Sequence, residues 1–220
     1  MPKRFDEDLY KLKQDVLAMG TVAEGMIRKA MGVLVDRNPA LIAQVLVDED
    51  RMDAFQRSID NETVRLIGVY TPVARDLRFL LMITRINAEL ERCADHAVSI
   101  CHGYESLKLL EEPPLKPLVD LPRMAAIAEQ MLHRALEAFL KGSEGDAEVV
   151  IRTDDQVDRL NDQIFRELVT YMLGDPRSIS RSLGLILTAR AFERVADHAV
   201  NIAEDVVYIV RGEDIRHVRG

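Results

Sequence analysis

The chain has 220 residues, 48% hydrophobic but only 5% aromatic, with no Trp and 30% charged. That length can bury a real core as one large or two small domains, and an Ala-, Leu-, Ile-, Val- and Met-rich mixture of this kind belongs to long amphipathic helices. A net charge of −8 at pH 7 argues against nucleic acid, whose phosphates need clustered Lys and Arg, against anionic lipid surfaces, and against free anions such as phosphate unless a local arginine cluster overrides the global field.

Helical periodicity runs through nearly the whole sequence. Leu9, Leu12, Val16, Met19, Ala23, Met26, Ile27, Ala30 and Leu34 form one apolar stripe at three-and-four spacing. Asp36-Arg37-Asn38-Pro39 ends this first helix, with Asn38 placed to cap the next and Pro39 at its first position. A second helix is predicted from Pro39 to Tyr70, and Thr71-Pro72 separates it from a third reaching about Leu110. Residues 111–121, with Pro113, Pro114 and Pro117 and Pro122 just beyond, read as a non-helical linker. A fourth helix follows from Pro122 to Lys141, Gly142 to Asp146 reads as a turn, a fifth runs to about Leu173, Gly174-Asp175-Pro176 breaks it, and a sixth ends near Arg211-Gly212.

The second half repeats the first. Glu91-Arg92-Cys93-Ala94-Asp95-His96-Ala97-Val98-Ser99-Ile100 returns 102 residues later as Glu193-Arg194-Val195-Ala196-Asp197-His198-Ala199-Val200-Asn201-Ile202, identical at eight of ten positions. At an offset of 105, Met19, Ala23, Glu24, Met26 and Ala30 match Met124, Ala128, Glu129, Met131 and Ala135. The fold class expected is all-α: two tandem three-helix bundles related by internal duplication, residues 1–110 and 122–220, joined by the 111–121 linker. An irregular six-helix array is the alternative.

Each half carries two acidic pairs at i, i+4: Glu49/Asp53 and Glu91/Asp95, then Asp154/Asp158 and Glu193/Asp197. That spacing puts both carboxylates of a pair on one helix face. Asp50 and Asp155 add an i, i+3 neighbour to Asp53 and Asp158. Where two such faces meet, the carboxylates need a counter-charge, and oxygen-only ligands suit iron, manganese, magnesium or calcium; zinc also takes carboxylates and stays open. Any single acidic pair is ordinarily a solvated face. Four pairs holding their place in a duplicated unit point to metal binding.

Arg92 and Arg194 are expected to pair with neighbouring carboxylates. His96 and His198 lie about 100° round the helix from their aspartates, which gives them a supporting or packing role rather than ligation. His102, His133 and His217 read as incidental. Cys93 and Cys101 align with Val195 and Ala203 and read as small core residues; eight residues of one helix, roughly 12 Å, also forbid a disulfide between them. Arg75-Asp76-Leu77-Arg78 reads as a salt-bridged helix entrance. Two free thiols, an acidic start without an apolar h-region, and apolar runs short of the ~18 residues of a membrane span predict a cytoplasmic protein. Walker, dinucleotide-binding and H-E-x-x-H motifs are missing, as is the Glu-x-x-His spacing of di-iron bundles, so no enzyme is predicted. A carboxylate-bridged metal-dependent oxidoreductase or hydrolase is the rival reading, and a metal-free scaffold a third.

These repeats, the acidic pairs in each half and Pro72-Val73-Ala74-Arg75-Asp76-Leu77-Arg78 resemble the PhoU family over nearly the whole chain. The segment from Glu193 to Glu204 is the closest part of that resemblance. It implies a cytoplasmic homodimer, without catalytic residues, that holds metal clusters, iron first, at Glu49, Asp53, Glu91 and Asp95 and at Asp154, Asp158, Glu193 and Asp197. It further implies a negative regulator of phosphate-starvation signalling that links the ATPase subunit of a phosphate ABC transporter to a sensor histidine kinase, touching the membrane only through partners. Ser99 opposite Asn201 and His102 opposite Glu204 depart from strict repetition, so equal occupancy of the two sites is not implied.

Overall fold

In the computed structural model, residues 3–107 and 109–213 are described, and they hold six α-helices and no strand. These are α1 (Lys3–Val35), α2 (Ala40–Tyr70), α3 (Ala74–Ser106), α4 (Asp120–Lys141), α5 (Glu144–Gly174) and α6 (Ile179–Arg211), with one 3-10 turn, Pro176–Ser178, before α6. His217 lies outside the described residues.

Local chemistry sets the breaks. Arg37 enters the left-handed region at φ 52°, and the Asn38 Oδ1 accepts from the Ala40 backbone N–H at 3.1 Å, capping α2. The turn between α4 and α5 is shorter than expected: only Gly142 and Ser143 leave the helices, because the Ser143 Oγ accepts from the Asp146 N–H at 3.3 Å and draws Glu144 to Asp146 into the first turn of α5. The third helix stops at Ser106 rather than Leu110, where Leu109 N–H turns back to the Tyr104 carbonyl at 3.1 Å. Gly142 caps α4 at φ +62°, with no side-chain atom nearer than 4.0 Å to where a Cβ would stand. Strain alone therefore decides the outcome of Gly142→Ala, and urea denaturation should show a loss of about 1 kcal/mol.

The predicted stripe of α1 is buried from Leu12 to Leu34. α1, α2 and α3 pack on one another, as do α4, α5 and α6, and the halves meet where α1 lies on α4 and α3 on α6. α2 and α5 touch only their own half and form the outer layers. The two bundles are thus more than beads on a linker; their apolar residues make one continuous core. Residues 109–119 are strapped down as well, with Arg37 Nη2 donating to the Leu110 and Glu112 carbonyls at 2.5 and 2.8 Å and Arg181 Nη1 to the Pro113 carbonyl at 3.1 Å.

Both junctions between the halves are antiparallel and follow an approximate twofold. Arg28 donates to Glu129 at 3.0 Å, and the equivalent contact, by the 105-residue offset, is His133 to Glu24 at 3.1 Å. His133 is therefore not incidental: it occupies the place of Arg28 and carries the same interaction. The Arg75–Arg78 entrance also differs from expectation. Among the described residues Arg75, Asp76 and Arg78 form no ion pair with one another, and Arg78 instead lies over the Tyr208 ring at 5.7 Å, docking the start of α3 on α6.

Candidate functional site

Helix α3 turns Glu91 toward Asp53 of α2, with Asp95 a turn further along α3, and α6 turns Glu193 and Asp197 toward Asp158 of α5. Glu91 is half-buried; burial raises its carboxyl above the ordinary glutamate value, and Asp95 and Asp53 push it further. Glu193 is raised by burial, Asp197 and Asp158; Asp197 by burial and Asp158; Asp158 by burial, Asp155 and Asp162. Acids on adjacent helices thus sense one another in both halves.

The convergence is partial. Asp53, Glu91 and Asp95 are brought together in the first half, and Asp155, Asp158, Glu193 and Asp197 in the second. Glu49 and Asp154 are half-buried and Asp50 exposed, about a turn earlier on α2 and α5. Among the described residues no three Asp, Glu, His or Cys side chains close to the spacing of a metal's ligands.

The halves also differ in charge. Asp53 is engaged by Arg57 at 3.2 Å, whereas the position equivalent to Arg57 in the second half is Asp162. That exchange alone shifts the second face by two negative charges, while Arg159 and Arg190, which stand opposite Ala54 and Ala88, return two positive ones beside Asp158 and Glu193. Asp162 escaped the sequence reading because it breaks the repeat instead of keeping it.

The duplicated histidines meet at the centre of the molecule. His96 Nε2 lies 3.2 Å from His198 Nε2, the rings stacked with centroids 5.3 Å apart. His198 Nδ1 donates to the Glu89 Oε2 at 2.7 Å, and Asn201 Nδ2 donates to the same oxygen at 3.0 Å. Burial works against ionised Glu89, but these bonds hold its carboxyl below the usual value. Burial, with His198 and Arg194, brings His96 down to about 4, so its ring is neutral at pH 7. The supporting role read for both histidines is a contact between halves. Arg92 pairs with Glu89 at 3.7 Å, a neighbouring carboxylate as expected. A cleft of about 410 Å³ beside the pair is lined by Arg92, Asp95, His96, Arg194, Asp197 and His198.

Glu89 is the functional-looking residue that repeat logic missed. Its counterpart is Ala191, so nothing in the duplication marks it, and its partners lie on the other half. Cys93 and Cys101 are buried and unbridged, burial raising both thiols, Cys101 to about 12. That places them in the core as read.

The comparisons with known proteins follow this architecture. The PhoU domain family matches residues 16–103 and again residues 121–206, once in each bundle. The chain belongs to the PhoU family. A phosphate-specific transport system accessory protein PhoU homolog from Pseudomonas aeruginosa is 36% identical over 217 residues, covering 98% of this chain and 89% of the relative. Another from Aquifex aeolicus is 37% identical over 211 residues, covering 96% and 95%. The crystal structure of PhoU from Pseudomonas aeruginosa superimposes with a TM-score of 0.90 at 36% identity, over 95% of this chain and 100% of that one. The phosphate transport system regulatory protein PhoU from Streptococcus pneumoniae gives 0.85 at 25% identity, over 96% and 99%. No helix among the described residues is long and apolar enough to cross a membrane.

Proposed function

We propose that this PhoU chain regulates phosphate uptake and restrains the phosphate-starvation response as a non-enzymatic, metal-binding adaptor. Its partners are the ATPase subunit of a phosphate ABC transporter and a sensor histidine kinase, and it works in the cytoplasm as a homodimer. The observation that carries this reading is the family match over both halves, coupled to acids facing one another at the same helix junction in each. Rigid outer helices such as α2 and α5 leave broad faces for proteins to dock on.

Metal would be held in the first half by Glu49, Asp53, Glu91 and Asp95, and in the second by Asp154, Asp158, Glu193 and Asp197, with Asp50 and Asp155 beside them. Iron is the first choice among zinc, manganese, magnesium and calcium. The cation supplies neutralisation. The chain supplies neighbouring carboxylates, Glu49, Glu91, Asp154 and Glu193 half-buried and the aspartates Asp53, Asp95, Asp158 and Asp197 exposed, that are costly to ionise side by side and so favour a positive partner. Arg57 weakens that preference in the first half; in the second, Asp162 strengthens it while Arg159 and Arg190 weaken it. Arg57→Asp should therefore tighten divalent-cation binding by the first half roughly tenfold, about 1.4 kcal/mol, read by calorimetric titration.

Deleting the gene should switch on a phosphate-starvation reporter in phosphate-replete cells, and the ATPase subunit should co-purify with tagged chain. Complementation by the wild-type chain but not by Asp158→Asn/Glu193→Gln ties the role to the acidic face. A silent reporter together with no recovered ATPase subunit would overturn the reading.

A further inference from the structure

The approximate twofold between α3 and α6 is broken in one region, and the break leaves a hole. On one side of the histidine pair the space is filled: Glu89 takes the bonds from His198 and Asn201, and Arg85 reaches the buried Asp205 at 3.3 Å. On the other side the equivalent positions, by the 102-residue offset, are shorter or apolar. Ala191 stands for Glu89, Ser99 for Asn201, Gly103 for Asp205 and Leu187 for Arg85. All four line a cavity of about 370 Å³, which His96, Arg190 and Arg194 line too, and to which no Asp or Glu contributes. Two carboxylates present on the filled side are absent here, while both arginines face the space. In a chain of net charge −8 this is a local positive concavity.

We propose that this cavity binds a small oxyanion, a carboxylate or phosphate group, in the place that the Glu89 carboxylate occupies across the twofold. Arg190 and Arg194 supply the charge and the Ser99 hydroxyl a neutral donor. The volume exceeds that of a bare anion, and the apolar wall that includes Leu187 and Ala191 accommodates a short aliphatic body. The site shares none of the carboxylates assigned to metal and stands whether or not they bind it.

The test is a titration of the full-length chain with inorganic phosphate, butyrate and n-butyl phosphate, followed by backbone amide shifts and melting temperature. Saturable shifts at Ser99, Gly103 and Ala191 at millimolar probe or below are expected, at least tenfold weaker in Arg194→Gln. Tighter binding of the butyl ester than of phosphate identifies an organic anion; equal binding identifies the free ion. The double variant Ala191→Glu/Ser99→Asn builds the filled side into the open one, so it should melt higher and no longer respond to any probe. Arg194 is exposed, so its variant keeps the experiment decisive should the double variant misfold. No response at these amides, or one unchanged in Arg194→Gln, overturns the proposal.

Discussion

Phe192→Ala lowers stability by about 3–5 kcal/mol and the melting temperature by roughly 10 °C, in one transition. Phe192 is fully buried on α6, the helix that packs against α3 of the other half as well as α4 and α5 of its own. Removing its ring leaves a cavity that close-packed neighbours can refill only in part. Because one apolar core runs through both bundles, the loss is felt by the whole chain, and scanning calorimetry should record a single shifted peak with matching calorimetric and van't Hoff enthalpies. Two peaks, only one displaced, would mean that the bundles fold independently. Leu173→Ala is the control. That side chain is 81% exposed at the end of α5, and its loss should change stability by less than about 0.5 kcal/mol.

Divalent metal at a hundredfold its dissociation constant should raise stability by about 2.7 kcal/mol, and the effect of Asp158→Asn should change sign between metal-free and metal-loaded protein. Asp158 pushes up both Glu193 and Asp197, and is itself raised by burial, Asp155 and Asp162. Without metal, removing its charge relieves repulsion, so the variant should melt about 2 °C higher than the wild-type chain at pH 7. With metal, the variant loses a ligand and most of the metal-dependent gain. A merely solvated acidic face would move in neither condition. The pH dependence follows the same sign. Groups raised in the folded state contribute stability that is present below their unfolded values, near 4, and lost as pH rises through the folded ones. Metal-free wild-type protein should therefore gain stability on acidification from neutrality toward pH 5, and Asp158→Asn should gain less. Glu89 and Asp48 act oppositely. Their folded values are lowered, so what they contribute is present above the unfolded value and disappears only as pH falls through the folded one.

Helix content and the duplicated plan were legible because the relevant signals are local: one apolar stripe in α1, Asn38 before α2, prolines at the linker. The register of the acidic pairs was legible for the same reason, since i, i+4 spacing fixes a helix face without knowledge of neighbours. What the spacing could not carry was contact between the halves. Glu89 and its His198 partner are 109 residues apart, and His133 looked solitary until packing set it on Glu24 in the role that Arg28 plays for Glu129. Asp48 was also passed over. It is buried beneath Lys29 of α1 and accepts from Arg51 at 2.7 Å, while its counterpart Thr153 is uncharged. Repetition marks what the halves share, and their differences (Glu89 against Ala191, Arg57 against Asp162) proved to hold the asymmetry of the site.

The most direct measurement is metal counted and located in the same protein: elemental analysis of the untagged chain with anomalous diffraction from its crystals. Peaks among Asp158, Glu193 and Asp197 and among Asp53, Glu91 and Asp95, with loss of the former in Asp158→Asn/Glu193→Gln, are the predicted result. Protein that retains no metal, or metal seated away from these carboxylates, would contradict it.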